Sequence, residues 1–203
     1  STMAVKEQHF KRRLAYSTVS NLSYMLMGAA LMTPAGMVGS LSHLVFHGLM
    51  KITLFYCAGA VLVKTGREYV QDLRGFGKIM PFTFTVFTVG AVAMVGIPPL
   101  CGFVSKWNLL TAAAATDSWW GVMAIVTLII SAILTAIYLF TVVAYAWFRP
   151  LNSDAASLSG KNCDPSWQMK LPLAVLSVVV VLFGIFSTPF VEWLRGLAAG
   201  LML

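Results

Sequence analysis

Charge is what this sequence has least of. Only 10% of its 203 residues are Asp, Glu, Lys or Arg, while 59% are hydrophobic. A soluble domain carries about 25% charged residues, so a soluble fold is excluded and an integral membrane protein is implied. Acidic residues are scarcer still. All seven (Glu7, Glu68, Asp72, Asp117, Asp154, Asp164 and Glu192) fall in loops or at segment ends. No carboxylate is therefore placed within an apolar segment to bind Na⁺, which argues against an autonomous sodium/proton exchanger. Paired carboxylates for acid–base hydrolysis, a glycine-rich phosphate loop and a nucleophile elbow are all missing. The three cysteines, Cys57, Cys101 and Cys163, form no C-x-x-C pair, so neither an iron–sulfur cluster nor a zinc site is suggested and no cofactor is expected. The opening STMAVKEQHFKRR has charges but no short apolar core, so it is not a cleavable signal peptide. The sequence is expected to begin part-way through a longer protein.

What is present is a series of long apolar runs with no strand-like alternation and no internal repeat. The runs predict an all-α integral membrane protein, a single transmembrane domain over 1–203 with five segments. These cover about 14–32, 37–63, 80–116, 119–148 and 171–194. Thr33-Pro34-Ala35-Gly36 marks the first turn, and Trp119, Trp120 and Trp147 suit the membrane interfaces. Eleven of the fourteen basic residues lie on one side: Lys6, Lys11, Arg12, Arg13, Lys64, Arg67, Arg74, Lys78, Arg149, Lys161 and Lys170. Arg195 alone lies opposite, and Lys51 and Lys106 fall inside segments. Positive charge marks the cytoplasmic side. The N-terminal end and loops 64–80 and 149–170 therefore face the cytoplasm, and the C-terminus faces outward from the cell membrane. The net charge of +7 is accounted for by topology, and no nucleic-acid partner is expected.

The third segment is broken in its middle by IPPLCGF. Pro98 and Pro99 lack backbone N–H groups, and Gly96 and Gly102 lower helix propensity further. A break at membrane depth is tolerated only where protein or a hydrated cavity surrounds it. Lys106 lies just beyond, where an intramembrane lysine costs about 2.5–3.5 kcal/mol on insertion scales. A broken helix with a buried lysine is how transporters build ion sites; the other reading is a proline kink with a snorkelling lysine. On the second segment His43, His47 and Lys51 follow at i, i+4 and i+8 along one helical face, about 12 Å end to end. Such a row suits stepwise proton transfer. A zinc site lacks the glutamate of H-E-x-x-H and a third ligand, and bis-histidine haem needs facing helices. A hydrogen-bonded structural face stays open as an alternative. Ser17, Asn21 and Tyr24, with Ser20 beside them, read first as interhelical glue and second as lining of a hydrated path.

Three ordered blocks, KRRLAYSTVSNLSYML, HLVFHGLMKITLFYCAG and GIPPLCGFVSKWNLL, resemble the antiporter-like proton channel family. That family comprises the large membrane subunits of respiratory complex I, membrane-bound hydrogenases and formate hydrogenlyases, and Mrp-type antiporters. The resemblance covers about 10–115 and implies the C-terminal part of a subunit of about fourteen helices, built as inverted repeats with one discontinuous helix each. It implies that Lys106 is the lysine of the discontinuous helix, at the exit to the outer side. His43, His47 and Lys51 would form the central relay. Lys11 would match a lysine at the cytoplasmic end of the preceding helix, where solvated anchoring is an equal reading. Pro98, Pro99 and Gly102 would make the break. The SKW around Lys106 is similar to hydrogenase and Mrp relatives, and the lack of a long lateral helix argues against the most distal complex I subunit. The implied function is proton translocation in a redox-driven complex, with no bond-making chemistry in this chain. An Mrp-type antiporter subunit and a structural membrane anchor are the alternatives. The implied partners are other membrane subunits, including the missing N-terminal half, a soluble redox module and the lipid bilayer.

Overall fold

The computed structural model describes residues 1–151 and 163–201, all helical apart from turns and one isolated bridge, His9 to Tyr69. The elements in chain order are α1 (Thr2–Lys6), α2 (Phe10–Ala30), α3 (Pro34–Thr65), a 3-10 turn (Val70–Leu73) and α4 (Phe76–Ile79). There follow α5 (Pro81–Val95), α6 (Cys101–Ala114), α7 (Trp119–Phe148), α8 (Trp167–Ile185) and α9 (Thr188–Leu201). By length and composition α3, α7 and α8 are long and apolar enough to cross a membrane, and α5 is a shorter apolar helix.

The 32-residue α3 is the post around which the others stand, packing against α2, α5, α6, α8 and α9. Its ends obey local chemistry. Thr33 Oγ1 accepts the Gly36 N–H at 3.1 Å, Pro34 occupies the first turn, and Gly66 closes the helix with φ +68. Phe46, Met50, Leu54, Phe84, Phe87, Met94 and Leu139 form the apolar core where α3, α5 and α7 meet. Around that core the usual polarity of a protein is inverted. Arg13, Asn21, His43, Lys51, Lys106 and Thr135 are buried, while Val122, Val126, Ile130, Ile133 and Ile137 line the exposed side of α7. A bundle bathed in hydrocarbon keeps its polar groups inside.

Several expected boundaries differ. The first segment starts at Phe10, not 14, because Lys11, Arg12 and Arg13 are wound into the first turn of α2. The second runs two to three residues further at each end, since Pro34 suits a helix start and Gly66 a helix stop. The fourth runs over Trp119–Phe148 as expected. The expected single stretch 171–194 is two helices, divided at Phe186–Ser187. Pro189 explains the division, since it lacks the N–H needed mid-helix yet fits the first turn of α9. The interruption of 80–116 begins before the prolines: α5 ends at Gly96, with φ +93, and α6 begins at Cys101. Pro98 and Pro99 lie between the two helices, joined by a cis peptide. Gly102 does not; it sits in the first turn of α6, where an added Cβ would come 1.9 Å from the Ala93 carbonyl oxygen. Its job is close approach of α6 to α5. In the expected loop 149–170, Asp154 and Lys161 lie outside the described residues.

Candidate functional site

The row His43, His47 and Lys51 is buried along α3, where α2 and α6 cover it. Four residues of helix rise about 6 Å. The His43 and His47 rings accordingly stack with centroids 5.8 Å apart. Lys51 Nζ donates to the Leu14 carbonyl at 2.9 Å, near the N-terminal end of α2. His43 shares a hydrogen bond of 2.9 Å between Nδ1 and Ser105 Oγ, and its ring lies 5.6 Å from that of Tyr24. Nε2 of His43 and Nε2 of His47 are buried with no hydrogen-bond partner in the protein, as are Asn21 Oδ1 and the Tyr24 hydroxyl. Such unpartnered buried polar atoms are costly unless water or a moving proton serves them.

Lys106 reaches the seam from α6. The break leaves the last carbonyls of α5 without helical partners. Lys106 Nζ supplies them, donating to Met94 O at 2.8 Å and Val95 O at 3.0 Å. A positive charge at a helix C-terminus also meets the negative end of the helix dipole. Gly96 makes room, since a Cβ there would lie 3.0 Å from Lys106 Cδ. The ammonium sits 5.7 Å from the centroid of the Tyr24 ring, which also lies beside the His43 ring. Lys51, His47 and His43 follow one another along α3, and the Tyr24 ring lies beside both His43 and Lys106. The opposite end of α5 is held too: the Asp164 carboxylate accepts the N–H groups of Phe82 and Thr83, each at 3.1 Å, and the Thr83 hydroxyl at 3.0 Å.

Not every expected residue joins this row. Lys11 lines an outer groove with Ile52, Tyr56, Val63 and Met169 instead. Within the basic cluster it is Arg13 that turns inward, 2% exposed, donating to Glu7 O at 2.8 Å and Tyr138 O at 3.1 Å. Ser105 was also missed, although its place beside Lys106 was a usable signal. So was a hydroxyl series on α7, Ser131, Thr135 and Tyr138, whose i, i+4, i+7 spacing repeats that of Ser17, Asn21 and Tyr24. Outside the apolar segments, the Glu7 carboxyl is held below the usual carboxylate range by the His9 N–H and then by Arg12, 3.2 Å away. Among the described residues no group of three His, Cys, Asp or Glu is placed to hold a metal ion.

Comparison with known proteins gives this arrangement a family. The family model described as NADH:quinone oxidoreductase/Mrp antiporter, TM, matches residues 1–135. NADH-quinone oxidoreductase subunit N of Desulforudis audaxviator is 32% identical over 200 residues, which cover 95% of this chain and 39% of that protein. F(420)H(2) dehydrogenase subunit L of Methanosarcina mazei is 35% identical over 208 residues, 96% of this chain and 30% of that one. A chain of respiratory complex I from Thermus thermophilus superposes with a TM-score of 0.84 at 27% identity, covering 98% of this chain and 40% of that one. The chain thus spans well under half the length of the proteins it matches. A family model over two thirds of the residues, with two relatives aligned along almost the whole chain, makes this protein a member of the NADH:quinone oxidoreductase/Mrp antiporter transmembrane family.

Proposed function

We propose that this chain is the C-terminal part of a proton-translocating antiporter-like subunit, working within a redox-driven membrane complex of the complex I or membrane-bound hydrogenase kind. In this reading the chain crosses the cell membrane five times, with α2, α3, the pair α5–α6, α7 and α8, and the third crossing is discontinuous. α2 is too polar to qualify by hydropathy alone, but its polar positions Arg13, Ser17 and Asn21 are buried while Val19, Leu22 and Leu26 are exposed. The distribution of positive residues supports a cytoplasmic position for the N-terminal end and the connections after α3 and α7.

The observation that carries the function is the row of buried ionisable groups, together with a lysine that caps the end of α5 beside it. A proton taken up at Lys51, near the cytoplasmic end, passes to His47 and His43. The imidazoles are too far apart for a direct hydrogen bond, so the step between them runs through bridging water. From His43 the proton reaches Lys106 past Ser105 and Tyr24. Lys106 releases it outward when its ammonium leaves the Met94 and Val95 carbonyls. The driving event is a change in pairing of these lysines, imposed by a redox partner and by the other membrane subunits, including the remainder of this one. No step here makes or breaks a bond other than to hydrogen.

The test is proton translocation by the intact assembly in proteoliposomes, comparing wild type with Lys51→Ala and Lys106→Ala. Loss of translocation in both, with the assembly still formed, is the expected result. Undiminished translocation in either would sink the relay and leave a structural anchor. The family description spans both branches, so an Mrp-type sodium/proton antiporter is the second reading. It predicts that the assembly translocates protons when driven by a sodium gradient and copurifies with no iron–sulfur subunit.

A further inference from the structure

A second polar system runs beside the row and is not used by it. Along the seam of α2 and α7 the Ser17 hydroxyl hydrogen-bonds the Tyr138 hydroxyl, which donates to Thr135 Oγ1 at 3.2 Å. All three are fully buried. The Tyr24 hydroxyl faces Ser20, Ser131 and Thr135 without a settled partner. Its ring is the one already lying against His43 and Lys106. The hydroxyls of Ser17, Tyr138 and Thr135 thus lead from the cytoplasmic third of α2 down to the centre of the row.

At the upper end of this chain sits Arg13, one turn before Ser17 on the same face of α2. Its guanidinium donates to the backbone carbonyl of Tyr138, the residue whose hydroxyl is in the chain, and to Glu7 O, with a longer contact to Val5 O at 3.5 Å. Among the described residues no carboxylate pairs with it, and the nearby Glu7 carboxylate is engaged by Arg12. Arginine holds its charge at any accessible pH. A fixed cation with no carboxylate bonded to it is an electrostatic barrier to protons, as in channels that exclude them.

We propose that Ser17, Tyr138 and Thr135 form a second proton-conducting arm that joins the relay at Tyr24, and that Arg13 is the fixed charge keeping the arm shut against the cytoplasm. The inference rests on the relay reading above. In the arm each hydroxyl oxygen accepts a proton on one side and gives up its own on the other, then turns; no electrons move and no group is consumed. With Arg13 in place, a proton on the row does not slip back to the cytoplasm by this route. Without it, the row is short-circuited.

The test is passive proton leak through the intact assembly in proteoliposomes, with no driving reaction running. Arg13→Gln raises the leak severalfold, Arg13→Lys stays close to wild type because the charge remains, and Arg13→Gln combined with Tyr138→Phe is tight again. Arg13→Met substitutes for Arg13→Gln, with the same expectations, if the latter does not assemble. A tight Arg13→Gln overturns the proposal, and so does a leak that persists when Tyr138 is Phe, since loosened packing would not be cured by removing one hydroxyl. Driven translocation by Lys106→Ala, measured alongside, separates the two readings. If it is lost while Arg13→Gln is tight, the arm is wrong and the relay stands; if it is unchanged, the relay itself fails.

Discussion

In the proposed relay Lys106 would have two duties at once, capping α5 and releasing a proton, and substitution separates them. Lys106→Met leaves two buried carbonyls without donors, at a cost of about 1–3 kcal/mol for each unsatisfied group. Lys106→Arg keeps a cation on Met94 and Val95 but never releases its proton. Thermal unfolding in detergent should therefore fall for Met and hold for Arg, while both lose translocation. Ser105→Ala removes the only hydrogen bond described for the His43 ring, and a slower transfer with about 1 kcal/mol of lost stability is expected. At the surface, Glu7 offers a pH signature. Its depressed pKa means the bonds at residues 7–9 are at full strength above the usual carboxylate value of about 4.3 and are lost as pH falls through the folded value. The protection of the His9 amide against exchange, relative to the intrinsic rate at each pH, should fall there. His43, His47, Lys51 and Lys106 were legible in the sequence because ionisable residues stand out in apolar runs. Arg13 was not, because a cluster of three cations does not say which one turns inward.

Helices in this bundle are set apart by which glycines they can spare. A Cβ at Gly102 would meet the Ala93 carbonyl oxygen at 1.9 Å, and one at Gly184 would meet that of Pro99 at 2.0 Å. Both neighbours are backbone, so Gly102→Ala and Gly184→Ala should push α6 and α8 off the break and lower the unfolding temperature. At Gly48 and Gly59, inside α3, an added Cβ meets nothing within 4 Å. There alanine is expected to stabilise by about 0.5–1 kcal/mol through helix propensity. Unfolding midpoints of the four variants check the contrast. The sequence marked α7 to the residue but missed the division of 171–194, because hydropathy carries across Phe186–Ser187 while backbone direction does not. At the interruption of 80–116 the sequence named Gly96 and Gly102 together, although the two have different jobs. Gly96, with φ +93, stops α5, and no composition rule distinguishes a stopping glycine from one that lets two helices touch.

For the molecule as a whole, sidedness is the property most open to direct measurement. Arg149 and Asp117 are both exposed, at opposite ends of α7. Arg149→Cys should react with a membrane-impermeant thiol reagent only from the cytoplasmic side, and Asp117→Cys only from outside. The reverse pattern would invert the direction of transport. The overall architecture was readable from charge placement and apolar length, quantities that a bilayer imposes on any chain. The seams were not, since pairing of α2 with α7 depends on which helices are neighbours. One such pairing reaches furthest. α5 carries no charge of its own, but Asp164 grips its N-terminal end and Lys106 its C-terminal one. Fifteen residues of helix make a rod about 22 Å long between them. A partner that tugs on the segment before α8 therefore holds the handle of a lever whose far tip is the carbonyl pair under the lysine. Force applied at the membrane surface would arrive at the proton's last stop without any charge having crossed the distance.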